Sequence, residues 1–254
     1  MTSHKQQVVE LLKSFETGDP KPLSYINPDK YIQHNLSLGD GLAALEARLN
    51  SRPRGSVKVN TVRAFEDGDC VFTHTAFNFA GNARIAFDIF RFEDGKIVEH
   101  WDNLQEAAAK PNPGGHSMID GPTTASDLDQ TEVNKALMKA YMDDLLQGHR
   151  EKFPGYFDGN SYIQHNPWVG DKLSGLIAGL GELARQGLAV KYERVHKVLG
   201  EGNFVLVVSE GSFGDRLTSY HDLYRIQSGK IAEHWDTLEF IPPRAEWKNP
   251  NGKF

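Results

Sequence analysis

The chain has 254 residues, of which 39% are hydrophobic and 24% charged, and a formal net charge of −6. That balance supplies no cluster of lysine and arginine for a phosphate backbone, which excludes nucleic acid as an expected partner, and no stretch is apolar for long enough to predict a membrane span. Cys70 is the only cysteine, which excludes an internal disulfide framework and any multi-cysteine metal site and fits a reducing, cytoplasmic compartment.

The amino-terminal residues lack the apolar core and small-residue cleavage site of a secretory signal, which again predicts a cytoplasmic protein. The first predicted element is a helix, with Val8, Leu11, Leu12 and Phe15 at helical spacing and Gly18 as its cap. The block Tyr31-Ile32-Gln33-His34-Asn35 follows, and then a second helix over Leu42 to Leu49. The runs Val57–Phe65, Cys70–Phe79, Arg84–Phe92 and Lys96–Leu104 alternate or are β-rich, with Gly68 and Gly95 in acidic hairpin turns between them. Residues 106–129 hold Lys110-Pro111-Asn112-Pro113-Gly114-Gly115 and Gly121-Pro122, the composition of an extended linker. Leu137, Tyr141 and Leu145 open another helix, capped by Gly148, and Leu176 to Ala184 is helical before a second set of strands.

The two halves repeat. Tyr31 to Asn35 recurs as Tyr162-Ile163-Gln164-His165-Asn166, and the segments Asp88–Leu104 and Asp222–Leu238 agree at ten of seventeen positions. Two matching blocks in the same order indicate duplication. The expected architecture is therefore α+β, with a domain at 1–105, a linker at 106–129 and a domain at 130–254. Each domain is expected to be a curved, mostly antiparallel sheet wrapped over helices, with a ligand cavity between the layers. A tandem pair of this kind predicts an intramolecular pseudo-dimer, as a monomer or within a homodimer.

Side chains two apart on a strand share a face, so His100 and Asp102 point together, as do His234 and Asp236, while Trp101 and Trp235 point the other way. Asp88 sits among Phe87, Ile89, Phe90 and Phe92, where lost hydration raises a carboxyl pKa, and Asp222 is placed similarly. Two carboxylates in unlike surroundings can supply an acid and a base at neutral pH, which makes Asp88 with Asp102, and Asp222 with Asp236, the catalytic candidates. The alternative is that these aspartates cap turns or pair with Arg91 and Arg225. His34 with Asn35, and His165 with Asn166, suit donation to a carbonyl or enolate, or else tie backbone groups together. His74, His100, Trp101, His221, His234 and Trp235 complete the ligand-binding candidates.

Histidines and aspartates at 34, 74, 88, 100 and 102 are also a possible divalent-metal set; Val208 replaces His74 in the second copy, where His221 next to Asp222 is the available substitute, and no H-E-x-x-H spacing is present. No metal is expected. Nor is a cofactor, since the chain lacks a P-loop, a G-x-G-x-x-G and a G-x-S-x-G.

Tyr-Ile-Gln-His-Asn, a Gly-Asp expected before a strand, and Asp-x-x-Arg-x-x-Asp-Gly-Lys-Ile-x-Glu-His-Trp-Asp resemble the SnoaL-like branch of the nuclear-transport-factor-2-like superfamily, and the resemblance covers both halves. The resemblance implies a cone-shaped α+β fold with a deep pocket and, from its polyketide cyclases, cofactor-free aldol condensation with an aspartate as general acid/base. That aspartate falls on Asp102 and Asp236. A second polar position, often histidine in the cyclases, falls on Asp88 and Asp222. The expected activity is thus acid/base chemistry on a small carbonyl compound, by cyclisation or isomerisation. The rival expectation is a small-molecule binding or assembly protein without turnover. The first copy keeps the fuller histidine set, and the sequence does not decide which copy is active.

Overall fold

Turn chemistry lays out two antiparallel meanders. The computed structural model describes residues 2–51, 53 and 55–254. The first meander comprises β2 (Val57–Asp67), β3 (Cys70–Phe79), β4 (Asn82–Glu93) and β5 (Lys96–Glu106), preceded by α1 (His4–Thr17), β1 (Ile32–Gln33) and α2 (Gly41–Asn50). The second repeats the plan with α3 (Thr131–Gln147), α4 (Phe153–Tyr156), β6 (Ile163–Gln164), α5 (Lys172–Arg185), β7 (Val190–Glu201), β8 (Phe204–Phe213), β9 (Arg216–Gln227) and β10 (Lys230–Phe240). Gly18 and Gly148 end α1 and α3 in the left-handed conformation, which a residue without Cβ adopts at least cost.

The strand orders are β1-β5-β4-β3-β2 and β6-β10-β9-β8-β7. Within each sheet the four long strands are antiparallel, while β1 runs parallel to β5 and β6 to β10. Each five-stranded sheet carries helices, giving the α+β class expected. In the first sheet's core, Val8, Leu11 and Leu12 of α1 pack with Val57, Val59, Val71, Phe90 and Ile97. In the second, Met138, Tyr141 and Met142 of α3 pack with Val205, Val207, Ile226 and Ile231. Burial of each such side chain contributes about 1.5–3 kcal/mol. Among the described residues no helix is long and apolar enough to cross a membrane.

The chain divides into unit 1, Met1–Glu106 with Pro242–Phe254, and unit 2, Ala107–Ile241. This division differs from the expected boundaries at two stretches. The Pro/Gly-rich residues after β5, read from composition as a linker, are packed into unit 2, and the residues after β10 belong to unit 1. Asparagine side chains give the physical reason. The Asn112 amide donates to the carbonyls of Gln164 at 2.6 Å and Val169 at 3.0 Å, while its oxygen accepts from the backbone of Gly114 and His116. Asn249 donates in the same way to the carbonyls of Asn35 at 2.8 Å and Leu38 at 3.0 Å. One side chain thus satisfies backbone groups that a helix or sheet would otherwise pair. Replacing Asn112 by alanine leaves these buried groups unpaired, and a urea titration is expected to show a loss of about 2–4 kcal/mol.

Candidate active site

The pairing of β9 with β10 sets Asp222 directly opposite Asp236, so their side chains emerge side by side on one face of the sheet. Tyr220 and Tyr224 share that face on β9, and His234 shares it on β10. The parallel pairing of β6 sets Gln164 beside His234. These groups are buried: Asp222 is fully excluded from solvent, and His234 and Asp236 nearly so.

The hydrogen bonds fix the proton positions. The Gln164 amide donates through Nε2 to Tyr162 Oη at 2.8 Å, and its oxygen accepts from the backbone N–H groups of His165 and Asn166. That same oxygen faces His234 Nδ1 at 3.1 Å, so Nδ1 carries a proton. His234 Nε2 then faces Asp222 Oδ1 at 2.9 Å, and a single proton is shared across that contact. Tyr192 Oη donates to the same Asp222 oxygen at 3.1 Å. Asp236 is held separately. Asn166, oriented by accepting from Trp168 N, donates to Asp236 Oδ2 at 2.7 Å. Asp236 Oδ1 and Asp222 Oδ2 are buried with no hydrogen-bond partner.

Electrostatics separate the two sides of this cluster. Burial, with the neighbouring Asp222 charge in support, pushes the Asp236 carboxyl up to about 6, against the pull of His234 and Asn166. Burial alone would lower His234, but the hydrogen bond to Asp222 and the charges of Asp236 and Asp222 together raise it above its ordinary value. A carboxyl that ionises near neutrality beside an imidazole that keeps its proton is a base next to an acid.

The cluster opens into a cavity of about 670 Å³ lined by Gln164, Asn166, His234 and Asp236 together with Tyr162, Tyr192, Tyr220 and Tyr224, and by leucines of α5. That volume suits a small organic molecule. Burial raises the phenols of Tyr162, Tyr192 and Tyr224 well above their ordinary value, so all three remain O–H donors. Tyr224 is stacked on His234 at 4.6 Å, and its hydroxyl enters no hydrogen bond among the described residues.

Unit 1 builds the same frame with a different filling. Asp88 lies opposite Asp102, His100 bridges Gln33 Oε1 at 3.0 Å and Asp88 Oδ1 at 3.1 Å, and Asn35 donates to Asp102 Oδ2. Burial raises the Asp88 carboxyl, as its apolar neighbours predict. Lys253 makes the difference: its Nζ lies 3.5 Å from Asp102 Oδ1, with the two side chains only 3% and 5% exposed. Gly252 O faces His34 Nδ1 as Ser117 O faces His165 Nδ1, which aligns the next residues, Lys253 in unit 1 and Met118 in unit 2. A cation therefore reaches Asp102, while the aligned position in unit 2 holds a neutral thioether. Ala86 and Phe90 also stand where unit 2 has Tyr220 and Tyr224.

Other candidates lie on the opposite face. His34 is stacked on Trp101 at 4.7 Å with Nε2 on Glu99, and His165 on Trp235 at 4.6 Å with Nε2 on Glu233. These four residues are thus turned away from the aspartates, whereas Asn35 and Asn166, one residue on, reach them. His74 contacts Arg63 and stacks on Phe87, and His221 alternates with Asp222. Both are therefore directed away from the site face, so the extra histidine of the first copy does not enrich it. Arg91 and Arg225 bond Glu99 and Glu233 rather than the aspartates. Gln164, Tyr192 and Lys253 belong to the sites without having been singled out from sequence. The glutamine stood in the repeated block, but nothing local marked the other two.

No protein-family model matches the chain, and no curated protein matches it. Solved structures similar to part of it include TsrD from Streptomyces laurentii (21% identity, 39% of this chain and 86% of that one, TM-score 0.34) and an NTF2-like protein of unknown function from Cytophaga hutchinsonii (16%, 41% and 92%, TM-score 0.36). Another is IdmH, a putative polyketide cyclase from Streptomyces antibioticus (20%, 39% and 89%, TM-score 0.34).

Proposed function

We propose that unit 2 is a cofactor-independent acid/base active site acting on a small carbonyl compound, of the SnoaL-like kind that the sequence resembles. The observation that carries this reading is Asp236, whose buried Oδ1 has no hydrogen-bond partner and whose side chain lines a cavity together with tyrosines, leucines, Gln164, Asn166 and His234. Asp236 removes a proton next to the carbonyl. Tyr224 donates to the oxygen on which negative charge develops, and such a donor stabilises the transition state more than the ground state. The protonated His234, held by Gln164 and Asp222, supplies the counter-charge beside the new acid. Return of the proton to another carbon gives isomerisation, and attack of the enolate on a second carbonyl gives aldol cyclisation.

For unit 1 a binding role without turnover is favoured, because Lys253 faces Asp102 and Ala86 and Phe90 stand in place of the phenols of Tyr220 and Tyr224. The two units are then copies of one ancestral fold that have diverged in chemistry.

The test is deuterium incorporation. Enolisable ketones and β-diketones incubated with the protein in D2O are expected to exchange the α-protons, followed by NMR, faster than in buffer. Tyr224→Phe is expected to lower that rate about 10–100-fold. Tight binding of a ketone that is recovered without deuterium would overturn the catalytic reading and leave a binding protein.

A further inference from the structure

We propose that unit 2 contains a second site, outside the carbonyl pocket, that takes a borderline divalent metal ion such as Zn2+ on His116, Asp120 and His165. The ligand atoms of these three residues lie within 4.8 Å of one another. His116 and Asp120 come from the segment following Asn112, and His165 from the end of β6.

The arrangement of the two imidazoles carries the assignment. His165 Nε2 is 2.8 Å from Glu233 Oε1, and His116 Nε2 is 3.1 Å from Asp171 Oδ2. Each carboxylate holds the N–H of its ring at Nε2, the arrangement that orients metal-binding histidines and raises their basicity. Both Nδ1 atoms then turn toward the same carboxylate, Asp120, at 2.7 Å for His165 and 3.9 Å for His116. The Ser117 carbonyl is also 2.7 Å from His165 Nδ1. Two ring nitrogens and a carboxylate thus converge, with the Ser117 carbonyl beside one of them; His165 Nδ1, which faces two oxygen acceptors, carries a proton that a metal ion would displace. Ligand atoms about 2.0–2.1 Å from a tetrahedral zinc are about 3.3 Å apart, and the distances found bracket that spacing.

The charges point the same way. Asp120, Asp171 and Glu233 bring three carboxylates to the two imidazoles, and Arg225, on Glu233 at 2.7 Å, offsets only one. A divalent cation balances the remainder, displacing any protons on the Nδ1 atoms as it binds. The segment is built to present these ligands: Asn112 accepts from His116 N, and Trp235 Nε1 donates to Asp120 O at 3.0 Å. Unit 1 is an internal control. There His34 has Glu99 on Nε2 but a lone carbonyl, Gly252 O, on Nδ1, which is a plain hydrogen bond. The residues that complete the site fall in the stretch read from composition as linker.

The experiment is calorimetric titration of the full chain, stripped with chelator, with ZnCl2 and separately MgCl2. The expected result is one Zn2+ per chain with micromolar or tighter affinity and no Mg2+ uptake. His116→Gln and Asp120→Asn should each weaken Zn2+ binding at least about 10-fold, and Asp171→Asn by about 10-fold through the orientation of His116. Asp236→Asn should leave it unchanged. All four variants are checked for an unaltered fold by circular dichroism, and Co2+ in place of Zn2+ reports its coordination directly by its visible bands. Absence of saturable Zn2+ binding, binding unchanged in His116→Gln, or anomalous scattering placing zinc among Asp222, His234 and Asp236 would each overturn the assignment.

Discussion

Asp236→Asn is expected to lower the exchange or turnover rate about 10²–10⁴-fold, the range that a positioned general base supplies, while Asp102→Asn leaves it within a factor of about two. The contrast follows from the two environments. Asp236 Oδ1 is unpartnered in a cavity, whereas Asp102 is held by Asn35 on one oxygen and faces Lys253 with the other. The rate should rise with pH through about 6 as the Asp236 carboxyl ionises. It should fall again at a pH above the ordinary histidine range as His234, whose value is raised, loses its proton. Equal losses in the two variants would sink the assignment of catalysis to unit 2.

The same carboxyl has an opposite effect on stability, which separates a catalytic role from a structural one. Its value in the folded chain is raised from 3.8 to about 6, so folding takes up a proton between those values. Stability therefore falls as pH rises through that window, and above it the full cost of a buried charge remains. Asparagine carries no charge, and Asp236→Asn is expected to stabilise the protein by about 1–3 kcal/mol at pH 7 and by nothing below pH ~4. A side chain whose removal abolishes activity while strengthening the fold is retained for chemistry.

Much of this frame was legible because short-range rules governed it. The helical spacing of Val8, Leu11 and Leu12, the strand alternation and the glycine turns set the elements, and alternation alone separated His234 and Asp236 from Trp235. What escaped was long-range. His34 and Asn35 are adjacent in sequence, and only the parallel pairing of β1 with β5 shows that the histidine turns to Glu99 while the asparagine reaches Asp102. Lys253 lies 151 residues from Asp102, so no window of sequence could join them. The tyrosines at 220 and 224 were not singled out either, although the aligned first-copy positions hold alanine and phenylalanine, a contrast that marks the second copy as the one with a donor-lined pocket.

The repeated His-Trp-Asp therefore does two jobs on two faces, and Trp235→Ala should show it. Trp235 is fully buried, stacks on His165, packs near Phe204 and donates to Asp120 O. Truncation removes the largest side chain from a site bounded by strands that cannot close over it, and a loss of about 3–5 kcal/mol is expected in a denaturant titration. Trp235→Phe keeps the ring against His165 but leaves the Asp120 carbonyl without its indole donor, so it should recover more than half of that loss. Because Trp235 faces away from Asp236, the phenylalanine variant should keep its α-proton exchange within about 3-fold of the parent, additivity holding for residues without shared partners. A larger fall, with the fold intact, would mean that the Trp235 face governs the geometry of Asn166 and Asp236, and the two faces of β10 would then have to be treated as one coupled site.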